Sequence, residues 1–421
     1  MSITVPEADY DDDRMVRLML SRLIEPDDRL FTEAREFAAP ADILRAILER
    51  GSSPPGWPSR LAERLKARRD GIELKYPAVD PAADLAAAAA IGARFLIPGD
   101  EEWPTSLDDL GERAPFGVWV LGHLGHSASS ISIVGARRAT GYGLTAAAGL
   151  GWEIARADVV VVSGAAVGVD GAAHHGALRA GGATVAVLAC GIDRSYPASH
   201  RDLIQTIGQR GAVLTELPPG SRPTRFRFLS RNRLIAALGV ATVVVEAAAR
   251  SGSLVTARLA AELGRAVFAV PGPVNSRESV GTNLLLCDGA IPAVDGPQVL
   301  AELGIERRAP HHHEGHAGER AVGRSSPGRD SPSRGRVAAP AEPRAGRSDT
   351  PSGAVDGGPS MDPRAVLVRE ALPTARSGRA SEVLALAGET GLAPAEVLAL
   401  LGQLAAVGQA VRTGGGWALG H

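Results

Sequence analysis

The chain has 421 residues, 45% of them hydrophobic and 22% charged, with a formal net charge of -2. That length allows two or three domains, and that composition allows at least one sizeable core. Two cysteines without CxxC spacing, an acidic N-terminus at Asp11, Asp12 and Asp13, and no apolar run of the roughly 18 residues a spanning helix needs argue against a disulfide scaffold, a secretory signal and a membrane span; a soluble cytoplasmic protein is expected.

Charge is unevenly spread along the chain. Lys plus Arg against Asp plus Glu is 15 against 23 over residues 1–130, 16 against 11 over 131–296, and 14 against 13 over 297–421. A polyanion is therefore steered to the middle of the chain, although a solvated surface accounts for such an imbalance equally well.

In chain order, residues 1–84 carry helix-period apolar positions such as Met15, Leu18, Ile43, Leu44 and Ile47, broken by Pro and Asp clusters, which predicts a small all-helical domain. Residues 85–121 read as a connector with extended stretches. From Ser130 the pattern becomes ISIVG, VVVVSG, TVAVLACG, AVLTE, ATVVVEA and AVFAVPG, each followed by a helical or loop stretch. Near-continuous Val/Ile/Ala strands of this kind predict an α/β domain, residues 85–304, built on a Rossmann-like, doubly wound, mostly parallel sheet. Ligands of such sheets sit beyond the C-terminal strand ends, here Gly135, Ser163-Gly164, Gly191, Glu216, Glu246 and Pro271-Gly272.

Residues 305–360 are rich in Pro, Gly, Ser and Arg, and a disordered linker is expected there. Its HHHEGH run at His311 to His316 offers metal-type donors but no further ligands nearby, so no metal is assigned. Over 361–421 helical periodicity returns in three segments, followed by AVRTGGGWAL, a hairpin with a glycine tip: the pattern of a winged helix. Its third helix, PAEVLALLGQLAAVGQ, has no Arg or Lys to read a major groove, which favours a protein-contact role over DNA reading.

Three turns of the central domain carry the chemistry. In IVGARRATGYG, a glycine-rich turn before a helix presents backbone N–H groups and a positive dipole end to phosphate. The dinucleotide fingerprint GxGxxG is absent, so no nicotinamide cofactor is expected, and Arg137 stands where it can meet an anion directly. In SGAAVGVDGAAHHGAL, Ser163, Gly164 and Gly168 sit at a strand end, with Asp170 and His174 one helical turn apart. That pair is read as capping and hydrogen bonding rather than catalysis, because no nucleophile motif accompanies it.

The third stretch runs from Ser221 to Thr256. No acid occurs between Leu217 and Val245, yet Arg222, Arg225, Arg227, Arg231 and Arg233 do. Arg231, Asn232 and Arg233 are placed at a helix start, and Ser251, Gly252 and Ser253 open the next helix with Thr256 one turn in; Ser253 serves equally as an N-cap. Arg225, Phe226, Arg227 and Phe228 alternate cations with aromatics; in an extended segment both rings share one face, as base contacts or as buried edge residues. Glu246 ends a strand without nucleophile or metal partner and is read as an organiser, like Asp170 and His174.

With these blocks in order, together with GTNLLLCDGA, the chain resembles the DNA-processing protein A (DprA/Smf) family over roughly Phe95 to Leu303. The resemblance implies a homodimer formed through the Rossmann-like domain. It also implies sequence-independent binding of single-stranded DNA and loading of RecA recombinase on incoming DNA in natural transformation, with no turnover reaction and no cofactor. Gly135, Arg137, Ser163, Gly164, Gly168, Arg231, Asn232, Arg233, Ser251, Gly252, Ser253 and Thr256 would then line the phosphate pocket. Two departures stand out: Ala183 where many relatives are basic, and Ser230 where proline is frequent. Lysine occurs only at 66 and 75, so arginines such as Arg222, Arg225 and Arg227 must supply the cations. The rival reading is a nucleotide or phosphoribosyl hydrolase of the "lonely guy" type, whose PGGxGTxxE pattern is replaced here by VEAAARSGSLVTA.

Overall fold

The computed structural model describes residues 3, 10–49, 56–76, 79–124, 129–306, 363–373, 380–390, 392–413 and 416–420. The expected linker, with its histidine run, lies from residue 307 onward outside the described residues.

Five helices come first: α1 (Asp13–Leu23), α2 (Arg29–Arg35), α3 (Pro40–Leu48), α4 (Ser59–Lys75) and α5 (Pro81–Ala89). The carboxylates of Asp12, Asp28 and Asp80 accept first-turn N–H groups of α1, α2 and α5, which fixes where those helices begin. The apolar positions of this module close over Val16, Leu20, Phe31, Ile43 and Leu61.

Two short strands follow, β1 (Ala93–Leu96) and β2 (Val118–Gly122), paired antiparallel. Then strands and helices alternate: β3 (Ser130–Val134), α6 (Gly141–Arg156), β4 (Val160–Ser163), α7 (Val169–Arg179), β5 (Thr184–Val187), α8 (Arg201–Arg210), β6 (Ala212–Thr215), α9 (Arg225–Leu238), β7 (Ala241–Val244), α10 (Gly252–Glu262), β8 (Ala266–Ala269), α11 (Val280–Cys287), β9 (Ile291–Pro292) and α12 (Gly296–Glu302). They form one nine-stranded sheet in the order β1-β2-β6-β5-β4-β3-β7-β8-β9. From β6 to β9 every neighbouring pair is parallel, while β2 joins β6 antiparallel. The stretch read as a connector thus supplies the antiparallel edge of the sheet.

Successive strand residues point to opposite faces, so in β4 Val161 joins Ile131, Ile154 and Ala173 while Val160 and Val162 join Val185, Leu234 and Ile235. Burial on both faces is why these strands read as unbroken apolar runs. The chain moves from β3 outward to β6, then returns to β7 on the other side of β3. Strand order therefore reverses between β3 and β7, the place in sheets of this kind beyond whose strand ends ligands bind.

The last elements are α13 (Pro363–Ala371), α14 (Val383–Thr390), α15 (Pro394–Ala406) and the antiparallel pair β10 (Ala410–Thr413) and β11 (Gly416–Leu419). Arg68 of α4 pairs with Asp28 and, at 3.2 Å, with Glu396 of α15, which Arg364 also holds at 2.6 Å. Among the described residues no helix is long and apolar enough to cross a membrane.

Candidate nucleic-acid interface

The turns that leave the C-terminal ends of β3, β4, β5 and β7 meet at one edge of the sheet. After β3 the chain exposes Arg137 and Arg138, then enters α6 under the cap of Thr140, whose hydroxyl accepts the Gly143 N–H at 3.2 Å. The anion at this helix start is the chain's own. Thr140 donates its N–H to Glu246 Oε2 at 2.8 Å and its hydroxyl to Oε1 at 2.6 Å. The Glu246 carboxylate thus takes the Thr140 donors at this helix start, a place where the sequence alone suggests a phosphate.

The turn after β4 is also occupied from within. The buried Ser163 hydroxyl donates to Ile133 O at 2.6 Å, and the Gly164 and Ala166 N–H groups donate to Asp170 Oδ2 at 3.1 and 3.4 Å. Burial pushes the Asp170 carboxyl up, against the pull of nearby Arg231. Gly168 adopts φ 88°, and a Cβ there would stand 2.3 Å from Ala136 O, so only glycine lets this turn press against the one after β3. Gly135 packs against Val169 in the same way. Gly135, Ser163, Gly164 and Gly168 therefore knit two turns together, and the Ser163 hydroxyl and the Gly164 N–H are engaged within them. His174, fully buried, donates from Nδ1 to the Thr184 hydroxyl at 2.7 Å, which itself donates to Val161 O; burial pulls the imidazole down to about 3, so it stays neutral.

Helix α9 starts at Arg225, six residues earlier than the arginine triplet suggested, with Thr224 Oγ1 accepting the Arg227 N–H at 3.2 Å. Helical geometry sorts the residues that alternation in an extended strand would have paired. Arg225, Phe228 and Arg231, with Asn232, follow one face. Phe226 is buried and Arg227 turns to Glu25 of the helical module, donating from Nε and Nη2 at 2.9 and 2.8 Å. Burial alone would raise the Glu25 carboxyl, but Lys75 and Arg227 beside it hold it well below the usual range. Arg233, 1% exposed, is clamped by Glu216 at 2.8 Å and by Arg113 O at 2.8 Å. Phe226, Arg227 and Arg233 are thus corrected from ligand-facing candidates to structural residues.

Arg231 is different. Only 6% exposed, it donates through Nη1 to Gly164 O at 3.0 Å and to Val187 O, while its Nε finds no hydrogen-bond partner among the described residues. Burial draws its guanidinium down to about 10, with Asp170 opposing. It sits beneath the surface as a cation that its neighbours only partly neutralise. Asn232 Nδ2 donates to Gly252 O at 3.3 Å, tying α9 to the start of α10, where the Ser251 hydroxyl accepts the Ser253 N–H at 3.3 Å and meets the Ser253 hydroxyl at 2.7 Å; Thr256 is buried one turn on.

What faces solvent at this edge is a smaller set. The Arg137 guanidinium lies 4.4 Å from the centre of the half-buried Phe228 ring, and Arg231 lies 5.8 Å from it. Exposed Arg138, Arg222 and Arg225 add positive charge on the same turns and helix start. Two residues escaped the sequence reading: Arg194 and Tyr196, both exposed, in the loop after β5. Their block, CGIDRSYP, ends a strand at this same edge, and the strand-end rule was the signal that could have found them. Arginines beside aromatic rings suit phosphate and base together. Among the described residues no group of His, Cys, Asp or Glu is placed to hold a metal ion.

Comparison with known proteins agrees with this chemistry. Residues 94–304 match the family described as DNA recombination-mediator protein A. A Mycobacterium tuberculosis protein named putative DNA processing protein DprA is 43% identical over 287 residues, covering 64% of this chain and 73% of that protein. Protein Smf of Escherichia coli is 39% identical over 212 residues, 49% of this chain and 56% of its own. The X-ray structure of DNA processing protein A from Streptococcus pneumoniae superposes with a TM-score of 0.54 at 28% identity, covering 72% of this chain and 99% of that one.

Proposed function

This chain belongs to the DNA recombination-mediator protein A family, and from that premise we propose that it binds single-stranded DNA without sequence preference and acts as a recombination mediator on it. The observation that carries the reading is the Arg137–Phe228–Arg231 cluster at the C-terminal edge of a parallel sheet, ringed by exposed arginines. Arg137, Arg138, Arg222 and Arg225 take backbone phosphates, Phe228 offers a base contact, and Arg231 adds charge from beneath. Gly135, Ser163, Gly164, Gly168, Asp170, His174, Asn232, Glu246 and the Ser251–Ser253 turn hold those groups in place.

The wider role is protection of incoming DNA and loading of RecA recombinase in natural transformation, by a cytoplasmic homodimer joined through the central domain. The helices and hairpin of 363–420 serve as a winged-helix contact module. The protein acts as a binder rather than a catalyst, a reading supported by both Glu246 oxygens and Asp170 Oδ2 being engaged by donors of the turns themselves.

The test is a titration of the full chain with labelled oligo-dT and with duplex DNA at two salt concentrations, alongside an assay of nucleoside monophosphate hydrolysis. Tight, salt-sensitive binding of oligo-dT over duplex is expected. Hydrolysis that depends on Glu246, without such binding, would establish the hydrolase instead.

A further inference from the structure

Tyr196 has no role in the site as described so far, yet it is 44% exposed and stands against its centre. Its ring centroid is 5.6 Å from that of Phe228, at an interplanar angle of 56°. Phe228 carries the Arg137 guanidinium 4.4 Å from its own centroid. Exposed arginine, half-buried phenylalanine and exposed tyrosine therefore make a contiguous series from the turn after β3 to the loop after β5.

The loop that carries Tyr196 is held to the segment leading into α9. Gly191 donates its N–H to Ser221 O at 2.9 Å, and Asp193 Oδ1 accepts the Gly220 N–H at 2.8 Å. Beyond the tyrosine, His200 Nδ1 donates to Ala165 O at 3.0 Å, which anchors the far end to the turn after β4. Because Tyr196 and Phe228 ride on segments bonded to each other, their spacing is fixed before any ligand arrives. A large aromatic exposed on a fixed, cationic surface has a π-face available to a flat ligand.

We propose that Tyr196 extends Phe228 into a stacking surface for an unpaired nucleobase, with Arg137 taking a phosphate of the same stretch of strand. The proposal rests on the single-stranded DNA reading above and adds the requirement for a base. A base inside a duplex has both faces covered by its neighbours, so this surface selects single strands by what they expose, while the arginines answer only to charge. The phenol hydroxyl is not needed for stacking, and phenylalanine should serve in its place.

The experiment is fluorescence anisotropy of the full chain with oligo-dT and with an abasic oligonucleotide of equal length at one salt concentration, for the wild type, Tyr196→Ala, Tyr196→Leu, Tyr196→Phe and Arg137→Ala. Tyr196→Ala and Tyr196→Leu should each weaken oligo-dT on the order of tenfold and leave the abasic strand within about twofold of wild type. Tyr196→Phe should restore oligo-dT binding, and Arg137→Ala should weaken both strands. The leucine variant keeps apolar bulk without a π-face, so it decides the matter should the alanine variant melt early. Oligo-dT binding unchanged in Tyr196→Leu, or weakened equally on both strands, overturns the stacking role while leaving the single-strand reading intact. A wild type that binds neither strand overturns that reading and this one with it.

Discussion

Glu246, at the end of β7, accepts both the N–H and the hydroxyl of Thr140, at the start of α6, through its two carboxylate oxygens at 2.8 and 2.6 Å. The bond pair spans the switch point of the sheet and fixes the turn that presents Arg137. Glu246→Ala should therefore cost about 2–3 kcal/mol of unfolding free energy, the scale of charge-assisted hydrogen bonds removed at a buried site. Oligo-dT affinity should fall with it as the turn loosens. Glu246→Gln, which keeps the shape and one acceptor for the Thr140 N–H, should lose less of both. Urea unfolding and oligo-dT titration check this; an alanine variant as stable as wild type would remove the organising role.

The arginines at this edge of the sheet should divide into two phenotypes. Arg137→Ala and Arg225→Ala, at exposed positions, should weaken oligo-dT binding across sequences and reduce the salt slope by about 0.7 for each phosphate that is no longer neutralised. Arg227→Ala and Arg233→Ala should act through the fold, costing up to roughly 3–5 kcal/mol: Glu216 loses the guanidinium that clamps it, while Glu25 keeps only Lys75, so the Arg227 variant should be the milder of the two. Thermal melts beside salt-dependent titrations separate the classes. An Arg233→Ala protein of wild-type stability with flattened salt dependence would put that side chain back on the DNA.

Gly164 offers a third test. A Cβ at this position would lie 2.4 Å from Arg231 Nη1, in a site where that guanidinium is buried and bonded to Gly164 O and Val187 O. Gly164→Ala must displace Arg231 from those carbonyls, at a cost of about 2–4 kcal/mol. Gly181→Ala makes a sharp control: its Cβ would meet nothing within 4 Å, so only its φ of 81° is strained. If both substitutions cost the same, the Arg231 hydrogen bonds contribute nothing measurable.

The sheet was legible because burial on both faces leaves only Val, Ile and Ala along most of β3, β4, β5 and β7, and the strand ends followed from those runs. What the turns do was less visible. Glycines at 135, 164 and 168 have the same appearance whether they admit a phosphate or another turn, and only the positions of Val169, Arg231 and Ala136 decide between the two. The start of α9 was missed because alternating Arg and Phe imitate a strand, although Thr224 supplies an ordinary N-cap. Arginine burial was hidden for a simpler reason: the carboxylate that claims Arg227 is 202 residues away in sequence. Tyr196 was overlooked because a strand-end block read as a pattern does not say which of its side chains face out.

His174 makes a prediction about acid. Its imidazole is buried with Nδ1 bonded to Thr184 and Nε2 without a partner among the described residues, and burial pulls it from 6.5 down to about 3. Between those values the unfolded chain binds a proton at this residue and the native protein does not, so stability must decline as pH falls through 6.5 and continue declining toward 3. Glu25 adds a loss of the same sign lower down: its carboxyl is held below the ordinary value of 4.5, so as pH falls past that value the unfolded chain takes up a proton there that the native protein does not. Above 4.5 the loss comes from His174, while the Asp170 carboxyl, pushed up by burial, works against it, so the comparison with a His174 variant isolates the histidine's share. From near neutral pH to 4.5 the wild type should lose on the order of 1–3 kcal/mol through His174, and His174→Gln, whose amide can still donate to Thr184, should show a flatter profile over that interval. Urea unfolding at intervals of half a pH unit measures it, and parallel profiles for the two proteins would mean that His174 does not carry the acid sensitivity.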